Sequence, residues 1–276
     1  MKRKLVITIG AVISMLAITV LALPTILHKS GLHPEFQGEL VGMLPGRKAL
    51  IITTSHGVLA EPGETTGDPT GVAASEFTHP YYSFLASGLD VDVASIKGGQ
   101  IPIDPQTLNF IIRTPEDVRF LGDSVLQAKV NHSIPIAEID FAAYDIVFLS
   151  GGWGAAYDLG QSAVLGQKIS DAYYSDKETL IGGVCHGVLG FINARDKKGN
   201  LLIEGRSMTG VTDKQIEELE TELRKAGARF EANATFRDLF ATHTVVDAEK
   251  RFVTGQNQNS GQAMAQAMLA LLADRR

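Results

Sequence analysis

Short apolar runs alternate with longer stretches of helical period along the chain from Arg47 onward. The runs that are rich in β-branched residues predict buried strands, and the amphipathic stretches between them predict helices. Strands that alternate with helices are typical of a mostly parallel sheet that is covered by helices. The sequence therefore predicts one α/β domain, which extends over residues 47–276.

The periodicity also gives approximate bounds for the individual elements. Strands are predicted at residues 49–54, 89–94, 145–149, 179–184 and 208–211, with a pair at 243–246 and 251–254. Helices are predicted at residues 72–87, 115–130, 162–174, 185–192, 213–226 and 260–274. Functional sites of open α/β sheets lie just past the carboxyl ends of the strands. Three segments in such positions are candidates for a site: residues 53–57, 150–154 and 184–187.

The amino terminus has a different pattern. Residues 5–27 form an uncharged apolar run, and a helix needs about 20 residues to cross the hydrocarbon core of a bilayer. Because no small-x-small cleavage site ends the run, residues 1–28 are predicted to be an uncleaved signal anchor, with a cleaved signal peptide as the alternative. The basic residues at positions 2–4 place the amino terminus in the cytoplasm and the domain on the extracytoplasmic side. Residues 29–46 are predicted to be a tether.

Composition narrows the function classes. The chain has 276 residues, a net charge of −6 and hydrophobic and charged fractions of 45% and 20%, which are ordinary for a globular protein. No stripe of Lys and Arg stands out, so nucleic acid is not expected as a partner. The single cysteine cannot form an intramolecular disulfide. It is a packing residue, an intermolecular crosslinker or a reactive thiol.

That cysteine, Cys185, lies in the segment IGGVCHG at residues 181–187. A strand that turns sharply into a helix through Gly-x-Cys-x-Gly is similar to the nucleophile elbow of Gly-x-Ser-x-Gly enzymes. The amino end of a helix stabilises a thiolate, which is the nucleophilic form of cysteine. The pattern predicts a catalytic nucleophile, and the alternative is a buried structural cysteine.

Other candidate residues are less distinctive in sequence. His186 follows the cysteine and could hydrogen-bond its sulfur or relay a proton, although a solvent-facing histidine fits the pattern as well. Glu76 alone reads as an ordinary charge on a helix face. Gly151 and Gly152 follow a strand and offer unobstructed backbone N–H groups to an oxyanion, or else form a tight turn. The seven histidines are scattered and no Gly-rich nucleotide loop is present, so neither a metal nor a cofactor is predicted.

Residues 48–271 resemble the ThiJ/PfpI superfamily. The segments that carry the resemblance are residues 71–88, 93–105, 144–159, 181–187 and 253–257. The resemblance implies a flavodoxin-like, doubly wound sheet with helices on both faces, related to class I glutamine amidotransferases. The segment around Asp104 is similar to the heat-shock chaperone and glyoxalase III-like branch. Members of that branch convert methylglyoxal to lactate without glutathione, and some are described as deglycases or holding chaperones.

The resemblance also implies roles for individual residues. Cys185 would add to an aldehyde, Glu76 would give and take protons beside the sulfur, and His186 would be a neighbouring base. The backbone of Gly151, Gly152 and Trp153 would bind an oxyanion, Asn257 would line the pocket, and either Asp213 or Glu217 would be the third acid. Trp153 stands where the branch usually has His, and Val188 where Pro is common. The partners that the resemblance implies are a small carbonyl substrate and a second copy in a homodimer, whereas the membrane is predicted as a partner from the N-terminal apolar run.

Two other readings stay open. Cys185 could hydrolyse an amide, as a glutaminase or a peptidase. A class I glutaminase needs a later His-x-Glu, and the only downstream histidines are His186 and His243, the latter without that Glu. A peptidase that uses Cys185 and His186 is compatible with the sequence. The non-enzymatic reading is a membrane-tethered holding chaperone or a thiol stress sensor.

Overall fold

The computed structural model describes residues 2–60, 65–213, 218–233 and 240–275. The first helix, α1, extends over Lys2–Lys29. Its segment Thr8–Lys29 has 22 residues and contains an 18-residue window with a mean hydropathy of 2.3 and no buried residue. Length and composition therefore suffice for a membrane span, a property that anchors share with signal sequences.

The domain is built on a sheet of mostly parallel strands. The strands in chain order are β1 (Lys48–Thr53), β2 (Asp90–Ser95), β3 (Ile134–Pro135), β4 (Ile146–Leu149), β5 (Leu180–Val184), β6 (Ser207–Met208), β7 (Arg229–Phe230), β8 (Thr244–Val246) and β9 (Phe252–Gly255). In the described part of the chain, seven of them form the main sheet in the order β3-β2-β1-β4-β5-β9-β8, and only β8 runs antiparallel to its neighbour. Strands β6 and β7 pair separately. The predicted α/β class with a mostly parallel sheet is confirmed.

The helices connect these strands. They are α2 (Ala74–Ala86), α3 (Pro115–Gly122), α4 (Ser124–Asn131), α5 (Trp153–Asp158), α6 (Ala163–Tyr173), α7 (Leu219–Lys225) and α8 (Gly261–Ala273). The segment Cys185–Phe191, predicted as an ordinary helix, is a tighter 3-10 helix. Such a helix still leaves backbone N–H groups unpaired at its amino end.

The single helix predicted at residues 115–130 is wrong, because Asp123 divides it. Its backbone is extended, with φ −90° and ψ 97°, and its carboxylate accepts hydrogen bonds from the amides of Val125 and Leu126 at 3.0 and 3.1 Å. An aspartate is a strong N-cap, so the sequence starts a second helix at this point. The helix predicted from residue 213 begins at Leu219 in the described part, and residues 214–217 lie outside it.

The order of the strands indicates where on the sheet a ligand site is expected. From β1 the chain moves through α2 to β2 on one side, whereas from β4 it moves through α6 to β5 on the other side. Because parallel crossovers are right-handed, α2 and α6 cover opposite faces. The order reverses between β1 and β4, and ligands of open α/β sheets bind at such a switch point, outside the carboxyl ends of the strands.

Both faces of the central strands are buried, which explains their continuous apolar sequences. Leu50, Ile51 and Ile52 of β1 have no exposed surface, and neither do the four residues of β4. Strands covered on both faces read as unbroken runs of Val, Ile and Leu rather than as alternation. The central strands therefore form a rigid base for the loops at their carboxyl ends.

The segment after α1 lies along the domain. Asn259 donates a hydrogen bond to the carbonyl of Leu32 at 2.9 Å, and its Oδ1 lies 2.8 Å from Nδ1 of His33. Further along, the amide of Val41 donates to Gln266 on α8 at 2.9 Å, and Leu44 is buried. The residues that were predicted as a tether thus contact the domain from the second position after the helix cap.

Asp145 joins the amino ends of β1 and β4. Its buried carboxylate accepts hydrogen bonds from Nη1 of Arg47 at 2.9 Å and from the amide of Lys48 at 2.8 Å. Its backbone carbonyl accepts from the amide of Leu180, so the same residue also holds β5. A buried charge is stabilising only when such partners satisfy it.

We expect Asp145→Asn to lower the free energy of unfolding by about 1.5–3 kcal/mol, because it weakens hydrogen bonds that involve a charged group. The matched control is Asp90→Asn, since Asp90 is exposed at the start of β2. Urea denaturation of the two variants measures the difference. Equal stabilities would show that Asp145 does not hold the strand ends together.

Candidate active site

The chain turns sharply where β5 ends. Cys185 has φ +54°, in the left-handed region that non-glycine residues seldom adopt. Such a conformation costs about 1–3 kcal/mol and persists only where the surroundings enforce it. The turn brings backbone amides of His186 and Gly152 to the sulfur, where they lower the pKa of the thiol. The predicted elbow geometry is present, and the strain coincides with the candidate nucleophile.

Close backbone packing holds this turn in place. A Cβ added to Gly187 would lie 2.9 Å from the carbonyl carbon of Leu149 and 3.0 Å from that of Ser150. These distances are shorter than Cβ atoms tolerate, so the end of β4 approaches the elbow as closely as a glycine permits. The spacing Gly-x-Cys-x-Gly therefore reflects a steric requirement of the turn.

Glu76 reaches the sulfur from the first turn of α2. The amide of Ala73 donates to the carbonyl of Gly151 at 3.4 Å, and the amide of Gly154 donates to the carbonyl of Gly71 at 3.1 Å. These bonds fasten the entry of α2 to the loop after β4. As a result the carboxyl group of Glu76 lies beside the elbow and close enough to the Cys185 thiol to raise its pKa, although α2 and the elbow belong to different crossovers. Among the described residues, Oε2 of Glu76 is buried without a hydrogen-bond partner.

Burial disfavours the charged form of both side chains, and the Glu76 carboxylate further disfavours the Cys185 thiolate. Burial raises the pKa of Glu76 to about 8, although the Cys185 thiol and the amides of Gly151 and Gly152 stabilise its charged form. Burial and the neighbouring carboxylate raise the pKa of Cys185 well above its usual value. Because two negative charges cannot share this desolvated space, the pair loses its first proton only at a pH of about 8 and the second at a still higher pH.

His186 is neutral and faces the same sulfur. Its Nδ1 lies 3.4 Å from Sγ of Cys185, and burial lowers the pKa of its imidazole to about 4. Within the described residues, Nε2 is buried without a hydrogen-bond partner. The ring packs against Trp153 with centroids 5.5 Å apart. A neutral imidazole of this kind can donate or accept one hydrogen bond at the sulfur but carries no charge at neutral pH.

The glycines after β4 complete the inner wall. A Cβ on Gly151 would meet Oε2 of Glu76 and would lie 2.6 Å from the carbonyl oxygen of Val184. Gly152 has φ +96° and directs its amide toward the carboxyl and the thiol. Glycine is required at the first position for space and at the second for conformation. Their amides form a polar wall beside the sulfur.

These groups lie at the base of one cavity of about 460 Å³. Cys185, His186, Glu76, Gly152, Trp153 and Asn257 all line it. Asn257 also donates to the carbonyl of Ala241 at 2.9 Å and accepts from the amide of Asn259 at 3.0 Å, so it shapes the turn after β9. The residues that the sequence predicted in separate segments are thus gathered around one space.

Asp213, one of the two proposed third acids, is not part of this group. Asp213 accepts hydrogen bonds from the amide and hydroxyl of Thr221 at 3.3 and 2.5 Å and does not line the cavity. Glu217 lies outside the described residues. Among the residues that are described, no cluster of three or more His, Cys, Asp or Glu side chains is arranged to hold a metal ion. A third acid for His186 therefore stays a prediction.

Sequence reasoning missed several lining residues that come from distant segments. They are Leu32, His33, Ile112, Val211 and Phe240. The two nearest the amino terminus follow directly on the apolar helix, and nothing in their local pattern distinguishes them from linker residues. Only tertiary structure brings them to the sulfur.

Comparison with known proteins identifies the family of the chain. Residues 69–271 match the DJ-1/PfpI family. The chain belongs to the DJ-1/PfpI family. This confirms the resemblance inferred from the sequence, and the family match includes the elbow and the carboxylate that faces it.

The similar proteins align with most of this chain, including residues outside the family match. Glyoxalase 3 of Candida albicans is 29% identical over 81% of this chain and 97% of its own length. The glutathione-independent glyoxalase HSP31 of Saccharomyces cerevisiae is also 29% identical, over 81% of this chain and 96% of its own. The crystal structure of glyoxalase III from Candida albicans superimposes with a TM-score of 0.70 at 26% identity, covering 82% of this chain and 97% of the other.

Gly151→Ala is expected to displace the Glu76 carboxyl or the elbow, because its Cβ has no room beside them. Overpacking of this kind costs about 1–3 kcal/mol of stability. Thermal unfolding measures the loss. Gly122→Ala is the control, since a Cβ at that position meets no atom within 4 Å. Two variants of equal stability would contradict the close packing described for Gly151.

Glu76 should make the stability of the protein depend on pH. Its carboxyl has an ordinary pKa of 4.5 when solvated and one of about 8 in the fold. A raised pKa stabilises the folded state fully below pH 4.5, and this contribution is lost as the pH rises through 8. Glu76→Gln stays neutral throughout, so its stability relative to the native chain should increase between pH 5 and pH 8, by up to about 1.4 kcal/mol per pH unit.

Urea denaturation at several pH values measures this trend. The exposed Glu138 offers the control substitution Glu138→Gln, for which we expect no comparable trend. A constant difference between Glu76→Gln and the native chain would mean that Glu76 ionises normally in the fold.

Proposed function

We propose that this chain is a cysteine-dependent glyoxalase III-type enzyme that acts on reactive carbonyls without a cofactor. The observation that carries the proposal is the contact between the Cys185 thiol and a buried carboxyl group with a pKa of about 8. Similar proteins that bear the name glutathione-independent glyoxalase support the same class of reaction. The parent reaction is the conversion of methylglyoxal to lactate.

In the first step, the sulfur of Cys185 adds to the aldehyde carbon and forms a carbon–sulfur bond. The thiol proton passes to the Glu76 carboxylate, and the resulting acid protonates the carbonyl oxygen, which gives a hemithioacetal. A carboxyl group with a pKa of about 8 has both forms available near neutral pH, so it can act as base and then as acid. An ordinary solvated carboxyl group would be a poor acid at that pH.

In the second step, Glu76 removes the hydrogen from the former aldehyde carbon, and a proton is returned to the neighbouring carbon. The first carbon is thereby oxidised to a thioester and the second is reduced to an alcohol, so no external oxidant is needed. Water then cleaves the thioester, and the products are the 2-hydroxy acid and the free thiol. The net change is the addition of one water molecule to the substrate.

The developing negative charge on oxygen would be stabilised by the amides at the inner wall. Those of Gly151 and Gly152 already face the carboxyl group, and the amides of Gly152 and His186 face the sulfur. Preorganised backbone donors in a desolvated site are among the largest contributions to catalysis. His186 would hydrogen-bond the sulfur as a neutral group.

Amide hydrolysis finds less support. A cysteine hydrolase of the triad type uses a histidine that an acidic side chain orients. In the described residues no side chain hydrogen-bonds Nε2 of His186, and the imidazole is neutral with a pKa of about 4. The second downstream histidine, His243, does not line the cavity.

We further propose that α1 anchors the domain to a membrane with the cavity on the extracytoplasmic side. The support is the apolar span Thr8–Lys29 together with the basic residues that precede it. Positive residues flanking a span stay on the cytoplasmic side.

The full-length chain, purified in detergent, should convert methylglyoxal to lactate in the absence of glutathione. Cys185→Ala should reduce the rate to the uncatalysed background, and Glu76→Gln should lower kcat by about 10²–10⁴-fold because the proton relay is lost. A coupled lactate assay measures both rates, and Glu138→Gln is the control. Unchanged turnover in folded Cys185→Ala would overturn the proposal.

A further inference from the structure

The cavity is much larger than the parent substrate requires. Its volume is about 460 Å³, within the range of about 300–1,000 Å³ that is typical of pockets for medium-sized ligands. Methylglyoxal has five non-hydrogen atoms, which at about 30 Å³ each would fill roughly 150 Å³. Most of the space is therefore available to a longer substituent on the carbonyl.

The walls differ in chemistry from the base. The reactive groups are buried, whereas Leu32, Ile112, Trp153 and Phe240 keep exposed surface and line the same cavity with apolar side chains, as does the buried Val211. Among the described lining residues there is no Lys or Arg, and the one further carboxylate, Asp104, accepts hydrogen bonds from Thr70 and from the amide of Gln106. The described lining thus offers no cationic side chain to an anionic substituent and favours a neutral, apolar one.

The apolar walls continue toward the end of α1. Leu32 and Phe240 also line a second cavity of about 570 Å³, together with Leu27, Ser30, Gly31, Pro34 and Ala241. Leu27 belongs to the apolar span, so the second cavity borders the end of the helix that is long enough to cross a bilayer. The two cavities share Leu32 and Phe240 as lining residues, so the site and the end of the span lie on either side of these two apolar side chains.

We propose that the substrates of this site are amphiphilic 2-oxoaldehydes, R–CO–CHO, in which R is a hydrocarbon chain, and that they enter from the lipid interface past Leu32 and Phe240. The inference rests on the proposed function and specifies its substrate class. The reaction is the same internal transfer: water adds, the aldehyde carbon is oxidised to a carboxylate and the ketone carbon is reduced to an alcohol. The product is a 2-hydroxy fatty acid, whose new charge has no cation to bind among the described lining residues.

A series of alkylglyoxals with R from methyl to octyl tests the proposal with the full-length chain in lipid nanodiscs. Each buried methylene contributes about 0.8 kcal/mol, so kcat/KM should rise about threefold to fourfold per methylene until the space is filled. Phe240→Ser should lower the ratio of octylglyoxal to methylglyoxal kcat/KM by at least tenfold. Phe110→Ser is the matched control, because Phe110 is 41% exposed, compared with 42% for Phe240, and lies outside both cavities.

A second measurement is independent of turnover. Trp153 is the only tryptophan of the chain and lines the cavity. An unreactive long-chain ketone, undecan-2-one, should change its fluorescence saturably, whereas propanone at the same concentration should not. The dissociation constant for undecan-2-one should rise at least tenfold in Phe240→Ser and stay unchanged in Phe110→Ser.

The outcomes separate the two proposals. A methylglyoxalase activity that does not increase with chain length, with no saturable binding of undecan-2-one, would overturn the amphiphilic substrate and leave the glyoxalase function standing. Binding of undecan-2-one without turnover of any alkylglyoxal would support the apolar lining of the cavity as a binding surface and overturn the glyoxalase function. A rising series that Phe240→Ser flattens supports both.

Discussion

The contact between Glu76 and Cys185 is the constraint on which the rest of the site depends. Removing a carboxyl group from water is unfavourable for its charged form, and in the described part of the chain no cation compensates for the loss of solvent. The group responds by holding its proton until a pH of about 8. The desolvation thus brings the pKa of this carboxyl group into the range where both of its forms exist near neutral pH.

The fold supplies this contact through its topology. Glu76 follows β1, Gly151 and Gly152 follow β4, and Cys185 follows β5, so the three groups start from adjacent strands. The reversal of strand order between β1 and β4 leaves an opening there that no crossover covers. The backbone strain at Cys185 is held by contacts with the ends of these strands. The strained turn and the candidate reactive groups therefore lie together at the carboxyl ends of three central strands.

The sequence predicted the class of the fold because buried parallel strands leave unbroken apolar runs. It predicted Cys185 because a sharp turn between packed strands requires small residues at fixed offsets. It could not by itself identify Glu76, whose importance comes from where α2 is attached and not from its neighbours in the chain. The sequence could not identify Leu32 and Phe240 as lining residues for the same reason. A cavity wall that is built from distant segments leaves no periodic pattern in the sequence. Asp123 misled the helix prediction because a cap inside an apparently continuous pattern looks like one more polar position.

The short connection between α1 and the domain has a kinetic consequence. Only Ser30 and Gly31 separate the helix from Leu32, whose carbonyl the domain already holds through Asn259. Two extended residues span at most about 7 Å, so the domain cannot drift away from the end of the helix. With α1 in a bilayer, the opening of the cavity would stay within a thin layer of water next to the lipid head groups. The rate at which the site encounters substrate would then depend on the amount of substrate per lipid. Diluting the membrane suspension with buffer would hardly change that rate.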